Sequence, residues 1–162
     1  MIRLLQILHW ASQKQRWKKL LQQQKLPVLE RLMSDRLKVM VVDDDNVTRH
    51  LLQDACLTAH PHIDCCAMAS AIEALLHIPL FKPHIMLLDL LMPQVDGWAL
   101  VRQLQHKESL AQMQIITLSA LSQEELKDRG GPPPSTHFIQ KPVDLGWLKG
   151  YLLGLLSPHA WA

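Results

Sequence analysis

Export and membrane insertion find little support in this chain. It has three cysteines in 162 residues, and two of them, Cys65 and Cys66, are neighbours. An odd count with an adjacent pair makes a poor disulfide framework, because neighbouring cysteines rarely reach bridging geometry. Reduced thiols in a cytoplasmic protein are therefore expected. No apolar run approaches the roughly 18–20 residues that span a bilayer. Met1 to Trp10 holds a short apolar stretch, but Gln6 interrupts it and no small-residue cleavage site follows, so it is not read as an export signal. A helix-turn-helix pattern is missing and no output domain follows Ala162, which disfavours DNA binding. Net charge is scarce as well, +2 overall, yet that total hides a division. Residues 1–38 carry nine Lys/Arg against Glu30 and Asp35, a net of +7, while residues 39–162 carry the other eight against thirteen Asp/Glu, a net of −5. A basic arm joined to a mildly acidic body points to an arm with its own partner.

The arm, residues 1–36, reads as a basic amphipathic helical extension. Residues 2–33 have no glycine and one proline, Pro27, so one helix is expected to about Lys25 and a shorter one through Met33. Apolar residues recur at three- and four-residue steps (Leu4, Leu8, Ala11; Trp17, Leu20, Leu21) beside a basic face. The leading expectation is an extension that packs on the rest of the chain or on a second copy, giving a homodimer. A membrane-surface helix, with Trp10 and Trp17 beside Arg3, Lys14, Arg16, Lys18 and Lys19, and a nucleic-acid contact are the alternatives.

From Leu37 the pattern changes to short apolar runs alternating with amphipathic stretches. Strands are expected over 37–42, 63–68, 84–89, 114–118 and 137–140. Helices are expected from Asn46, as a cap, to about Ala59, from Ser70 to about Ile78 before Pro79, and over 97–107 and 122–129. A last helix runs from Asp144 to about Leu156. Gly130-Gly131-Pro132-Pro133-Pro134 must end the fourth helix, since proline fixes φ and removes a donor. Five strand–helix alternations imply an α/β fold with a parallel sheet covered on both faces, over a domain set at residues 37–157 with a tail at 158–162.

Ligands of such sheets bind at the carboxyl ends of the strands. Polar residues stand there on four of the five: Asp43 and Asp44, Asp89, Ser119, and Lys141. Each alone has an ordinary explanation as a loop start, a helix cap or a solvated lysine. Together on one rim they describe something narrower. Three carboxylates held close need a cation, and Mg²⁺ suits a few carboxylates, water and a phosphate. A hydroxyl and a lysine beside them can bind phosphoryl oxygens, so the set suits an aspartyl phosphate formed by carboxylate attack on phosphorus. Nine histidines invite a second metal site, but His60, His62, Cys65 and Cys66 match no zinc spacing, and adjacent cysteines on a strand face opposite sides.

Four segments carry a family likeness: 38–46 (KVMVVDDDN), 85–97 (IMLLDLLMPQVDG), 115–120 (IITLSA) and 138–142 (FIQKP). In order and spacing they resemble the signature segments of response regulator receiver domains of bacterial two-component signalling. The resemblance implies a flavodoxin-like (βα)5 fold with strand order 2-1-3-4-5. It implies Asp89 as the phosphorylated nucleophile, with Asp43, Asp44, Asp89 and the main-chain carbonyl of Leu91 holding Mg²⁺. Ser119 and Lys141 are implied as the groups that meet the phosphoryl oxygens, Phe138 as an aromatic switch that follows Ser119, and Pro142 as a cis-proline. The two positions that tune phosphoryl lifetime in the family are Leu91 and Leu121 here, apolar walls that predict slow hydrolysis.

The expected function is a signalling module that catalyses only its own modification. Its phosphoryl group would come from a sensor histidine kinase or a histidine phosphotransfer protein, and its changed surface would be read by another protein. The initial Met and the absent output domain favour a stand-alone regulator over a piece of, or adaptor to, a hybrid-kinase phosphorelay. A haloacid-dehalogenase-like phosphatase also uses a strand-end aspartate, but it needs a second one two residues on, where this chain has Leu91.

Overall fold

The structure, a computed structural model, describes residues 36–93, 95–105 and 113–156. The elements in chain order are β1 (Leu37–Val42), α1 (Asn46–Ala59), β2 (Ile63–Met68), α2 (Ala71–Phe81) and β3 (Ile85–Asp89). They continue with α3 (Gly97–Gln105), β4 (Gln114–Ser119), α4 (Gln123–Asp128), β5 (His137–Gln140) and α5 (Leu145–Leu156). The expected arm and tail, except Arg36, lie outside the described residues, as does the expected continuation of α3 to Lys107. No helix among the described residues is long and apolar enough to cross a membrane.

The five strands pair in parallel in the order β2-β1-β3-β4-β5. That is the doubly wound, flavodoxin-like arrangement. Strand residues alternate between two apolar layers, because successive side chains point to opposite faces. Val39 and Val41 of β1 join Leu52, Cys56, Leu148 and Leu152 on the face covered by α1 and α5. Met40 and Val42 join Ala74, Ile78, Leu100 and Leu104 on the face covered by α2 and α3. Cys65 packs in the first layer and Cys66 in the second, on opposite sides of β2. Burial pushes the Cys66 thiol up to about 11. The central strand β3 is buried along its whole length, as expected of a strand covered on both sides.

Three local expectations need correction. Asp45, not Asn46, caps α1: its side chain accepts from Thr48 N–H and Thr48 Oγ1, and Asn46 is the first helical residue. A carboxylate one residue earlier reaches the free N–H groups of the first turn equally well. Helix α2 also runs past Pro79 to Phe81. Only one helical hydrogen bond is lost there, and the helix closes within three residues through Lys82, whose left-handed backbone brings its N–H to Ile78 O at 2.8 Å. Strand β3 starts at Ile85, while His84 N–H donates to Lys38 O and His84 Nδ1 accepts from Lys38 N–H.

The Gly-Gly-Pro-Pro-Pro segment does end the fourth helix. Gly130 and Gly131 take positive φ of 90° and 87°, a backbone that glycine adopts without a Cβ clash. Trp98 on α3 donates from Nε1 to Gly131 O at 3.1 Å, and the Gln105 side chain donates to Pro134 O. The segment therefore lies strapped against α3.

Candidate functional site

Four strand ends build the site. Asp43 follows β1 and is fully buried; its Oδ1 accepts from Asp45 N–H at 2.9 Å, which folds the acidic turn back on itself. Asp44, next along, is exposed. Asp89 ends β3 and is 4% exposed, with Oδ1 accepting from Leu91 N–H at 3.0 Å. Ser119 ends β4, buried, and its Oγ accepts from Leu121 N–H at 3.2 Å. Lys141 follows β5, anchored by its N–H on Ser119 O at 2.8 Å, and the Lys141–Pro142 peptide bond is cis.

Lys141 crosses the rim. Its Nζ lies 2.7 Å from Asp43 Oδ2 and 2.8 Å from Asp89 Oδ2, so one ammonium binds both buried carboxylates. Burial pushes the Asp43 carboxyl above its ordinary value, and the Lys141 hydrogen bond opposes that without cancelling it. Burial works against the Lys141 charge too, but its bonds to Asp43 and Asp89 outweigh the penalty and hold it above the usual lysine value. Asp43, Asp44 and Asp89 each offer a carboxylate oxygen, and these lie within 4.8 Å of one another, a group that could hold a metal ion. The expected acceptor, acidic pair, hydroxyl and lysine are thus brought to one rim.

The remaining expected residues frame it. Leu91 and Leu121 are half-buried, each tied by its N–H to the side chain two residues earlier. Phe138 is half-buried on β5, paired in register with Thr117. His60 and His62, ahead of β2 and so at the opposite end of the sheet from the rim, contact edge to face, and His60 Nδ1 accepts from His62 N–H.

Two further residues shape the site without having been singled out from the sequence. Arg49, in the first turn of α1, donates from Nη1 to Asp43 O at 2.9 Å and Asp44 O at 3.2 Å, and from Nη2 to Asn46 Oδ1 at 2.7 Å. It braces the turn that presents both aspartates. Its signal was available: an arginine one helical turn beyond an N-cap can fold back onto the preceding loop. Gly97 is the other. A Cβ there would meet Asp89 O at 2.6 Å and Leu90 Cα at 2.7 Å, so α3 can start against the end of β3 only from glycine.

A parallel sheet in this order, with carboxylates, a hydroxyl and a lysine at the ends of its strands, sets the frame for comparison with known proteins. The family model for the response regulator receiver domain matches residues 39–152, and the chain belongs to that family. A receiver protein from Pseudomonas putida is 31% identical, with a TM-score of 0.63 over 74% of this chain and 98% of that one. The signal receiver domain of a signal transduction histidine kinase from Syntrophus aciditrophicus is 25% identical, with a TM-score of 0.65 over 75% of this chain and 91% of that one. Among curated proteins, the sensor histidine kinase TmoS of Ectopseudomonas mendocina is 26% identical over 129 residues, which is 80% of this chain but 13% of the kinase.

Proposed function

We propose that this chain accepts a phosphoryl group on Asp89 from a phosphohistidine donor, on a sensor histidine kinase or a histidine phosphotransfer protein, within the cytoplasm. The observation that carries the proposal is the Lys141 ammonium held between Asp43 and Asp89 at the mouth of the sheet. An Oδ of Asp89 forms the new bond to phosphorus as the donor's nitrogen–phosphorus bond breaks, and the freed imidazole takes a proton from solvent. Lys141 is placed to leave Asp89 for a phosphoryl oxygen, and the Ser119 hydroxyl can donate to another.

The oxygen donors of Asp43, Asp44 and Asp89 fit Mg²⁺, a hard cation that favours carboxylates, and the Leu91 carbonyl would complete the protein's share. When bound, the ion supplies positive charge to balance the phosphoryl oxygens. The residues of the rim do the rest: Asp43 and Asp89 bind, Lys141 orients, and Leu91 and Leu121 exclude water. Ser119 moving toward the phosphoryl group would free space for Phe138 to turn inward and change the β4–β5 surface. Slow loss of the phosphoryl group follows from the two leucines; Leu121→Gln should speed hydrolysis about tenfold, or 1.4 kcal/mol of barrier, in a radiolabel chase. A wild-type half-life of seconds would contradict this.

The receiver reading extends in two directions. A stand-alone regulator meets a separate output protein, whereas a module of a larger phosphorelay works beside a kinase. Similarity to a histidine kinase's receiver domain and to TmoS supports the second as an alternative. The test common to both is transfer from purified phosphohistidine donors to wild type and to Asp89→Asn.

A further inference from the structure

Helix α2 is apolar on nearly every side, with Glu73 and His77 its polar residues. Ala71, Ala74 and Ile78 face the sheet and are buried. On the outer side Ile72, Leu76 and Leu80, four residues apart, form a stripe along one face that is 51%, 67% and 80% exposed. A helix that is hydrophobic all round is ordinarily covered on all sides. Leu80 and Leu76 are the most exposed large apolar side chains among the described residues.

The start of β1 lies near the last residue of α2. Arg36 pairs with Asp64 at 2.7 Å and donates to Pro61 O at 2.6 Å, fixing where residues 1–35 join the fold. Two residues on, Lys38 Nζ lies 5.8 Å from the centre of the Phe81 ring, the last residue of α2. Whatever precedes Arg36 therefore joins the fold two residues from the strand position whose lysine reaches the end of α2. That segment carries Trp17, Leu20 and Leu21 at helical spacing among Lys14, Arg16, Lys18, Lys19 and Lys25. At about 1.5 Å per residue, α2 is about 16 Å long, so a small part of a 35-residue segment matches it. A segment tethered this closely is present at an effective concentration of about millimolar.

We propose that residues 1–35 of the same chain dock on the outer face of α2, laying their apolar stripe over Ile72, Leu76 and Leu80. The basic side then faces solvent, and the arm becomes a cover for the receiver, independent of phosphoryl chemistry.

The test is limited trypsin digestion of the full-length chain, followed by mass, at the sites from Lys14 to Lys25. Wild type is compared with Leu76→Glu/Leu80→Glu and with Trp17→Glu/Leu21→Glu. The first pair is solvent-exposed and the second lies outside the receiver fold, so neither should unfold it; circular dichroism checks this. Cleavage should be at least tenfold faster in both variants than in wild type, with wild-type protection unchanged across a hundredfold dilution. Hydrogen exchange of α2 amides should rise in both variants. Equal cleavage rates in all three proteins would overturn the proposal. Protection that fades on dilution would replace it with docking by a second copy. Protection that appears only with phosphatidylglycerol vesicles would replace it with a membrane-surface role.

Discussion

The rim at the ends of the strands and the outer face of α2 are built on opposite terms. At the rim, four polar residues are buried or nearly so, and each is already spoken for: Asp43 and Asp89 by Lys141, Ser119 by Leu121, Lys141 by both aspartates. Among the described residues no buried side-chain nitrogen or oxygen lacks a partner. On α2 the mismatch runs the other way, with leucines standing in water. A satisfied polar rim can wait for a ligand without distorting, because Lys141 occupies the charges that a metal and a phosphoryl group would later meet. An uncovered apolar stripe gains nothing by waiting. The first suits the transient ligand proposed for Asp89, the second the resident cover proposed for residues 1–35.

Substitutions test each side of that contrast. The largest effect is expected at Lys141. Lys141→Ala removes the cation that would meet the phosphoryl oxygens, and phosphoryl uptake should slow about a hundredfold or more, measured by rapid quench from a phosphohistidine donor. Gly97→Ala comes next. Its Cβ meets backbone atoms at the end of β3, which cannot move aside like a flexible side chain, so the fold should lose about 1–3 kcal/mol in a urea titration. Arg49→Ala leaves the acidic turn unbraced, and Mg²⁺ affinity by titration calorimetry should fall roughly tenfold, with Arg49→Lys recovering part of it.

A smaller effect concerns pH. Burial holds the folded Asp43 carboxyl above its unfolded value of 3.8. A raised value means that this group favours the fold below pH 3.8, and that its contribution is lost as pH rises through the folded value. Metal-free wild type should therefore lose stability relative to Asp43→Asn as pH rises toward neutral, and Mg²⁺ should narrow the gap. The smallest effect is a deliberate blank. Leu76→Glu/Leu80→Glu should leave phosphoryl uptake at the wild-type rate, because α2's outer face touches none of the rim; a clear slowing would erase the distinction between the two regions.

Much of the rim was legible before any coordinates, for a physical reason. A buried strand is a short apolar run, and its carboxyl end is where the run gives way to a polar residue. Asp43, Asp89, Ser119 and Lys141 could thus be placed by reading where hydrophobicity stops. The strand order needed the family likeness, since periodicity does not say which strands are neighbours. Pro79 misled because proline's cost depends on how many turns follow it, and here the helix ends at Phe81. Arg49 and Gly97 escaped notice because their roles depend on what folds back against them. The stripe on α2 was hidden for a related reason. Ile72, Leu76 and Leu80 look like core in the sequence, and only the packing reveals that Ala71, Ala74 and Ile78 already fill the inner side.

We propose Asp89 as the phosphoryl acceptor. Incubation of the full chain with a small-molecule phosphodonor and Mg²⁺, read by intact mass, tests it most directly. Wild type should gain one phosphoryl group, fail to gain it when a metal chelator precedes the donor, and Asp89→Asn should gain none. An unmodified wild type, or equal modification of Asp89→Asn, would contradict it.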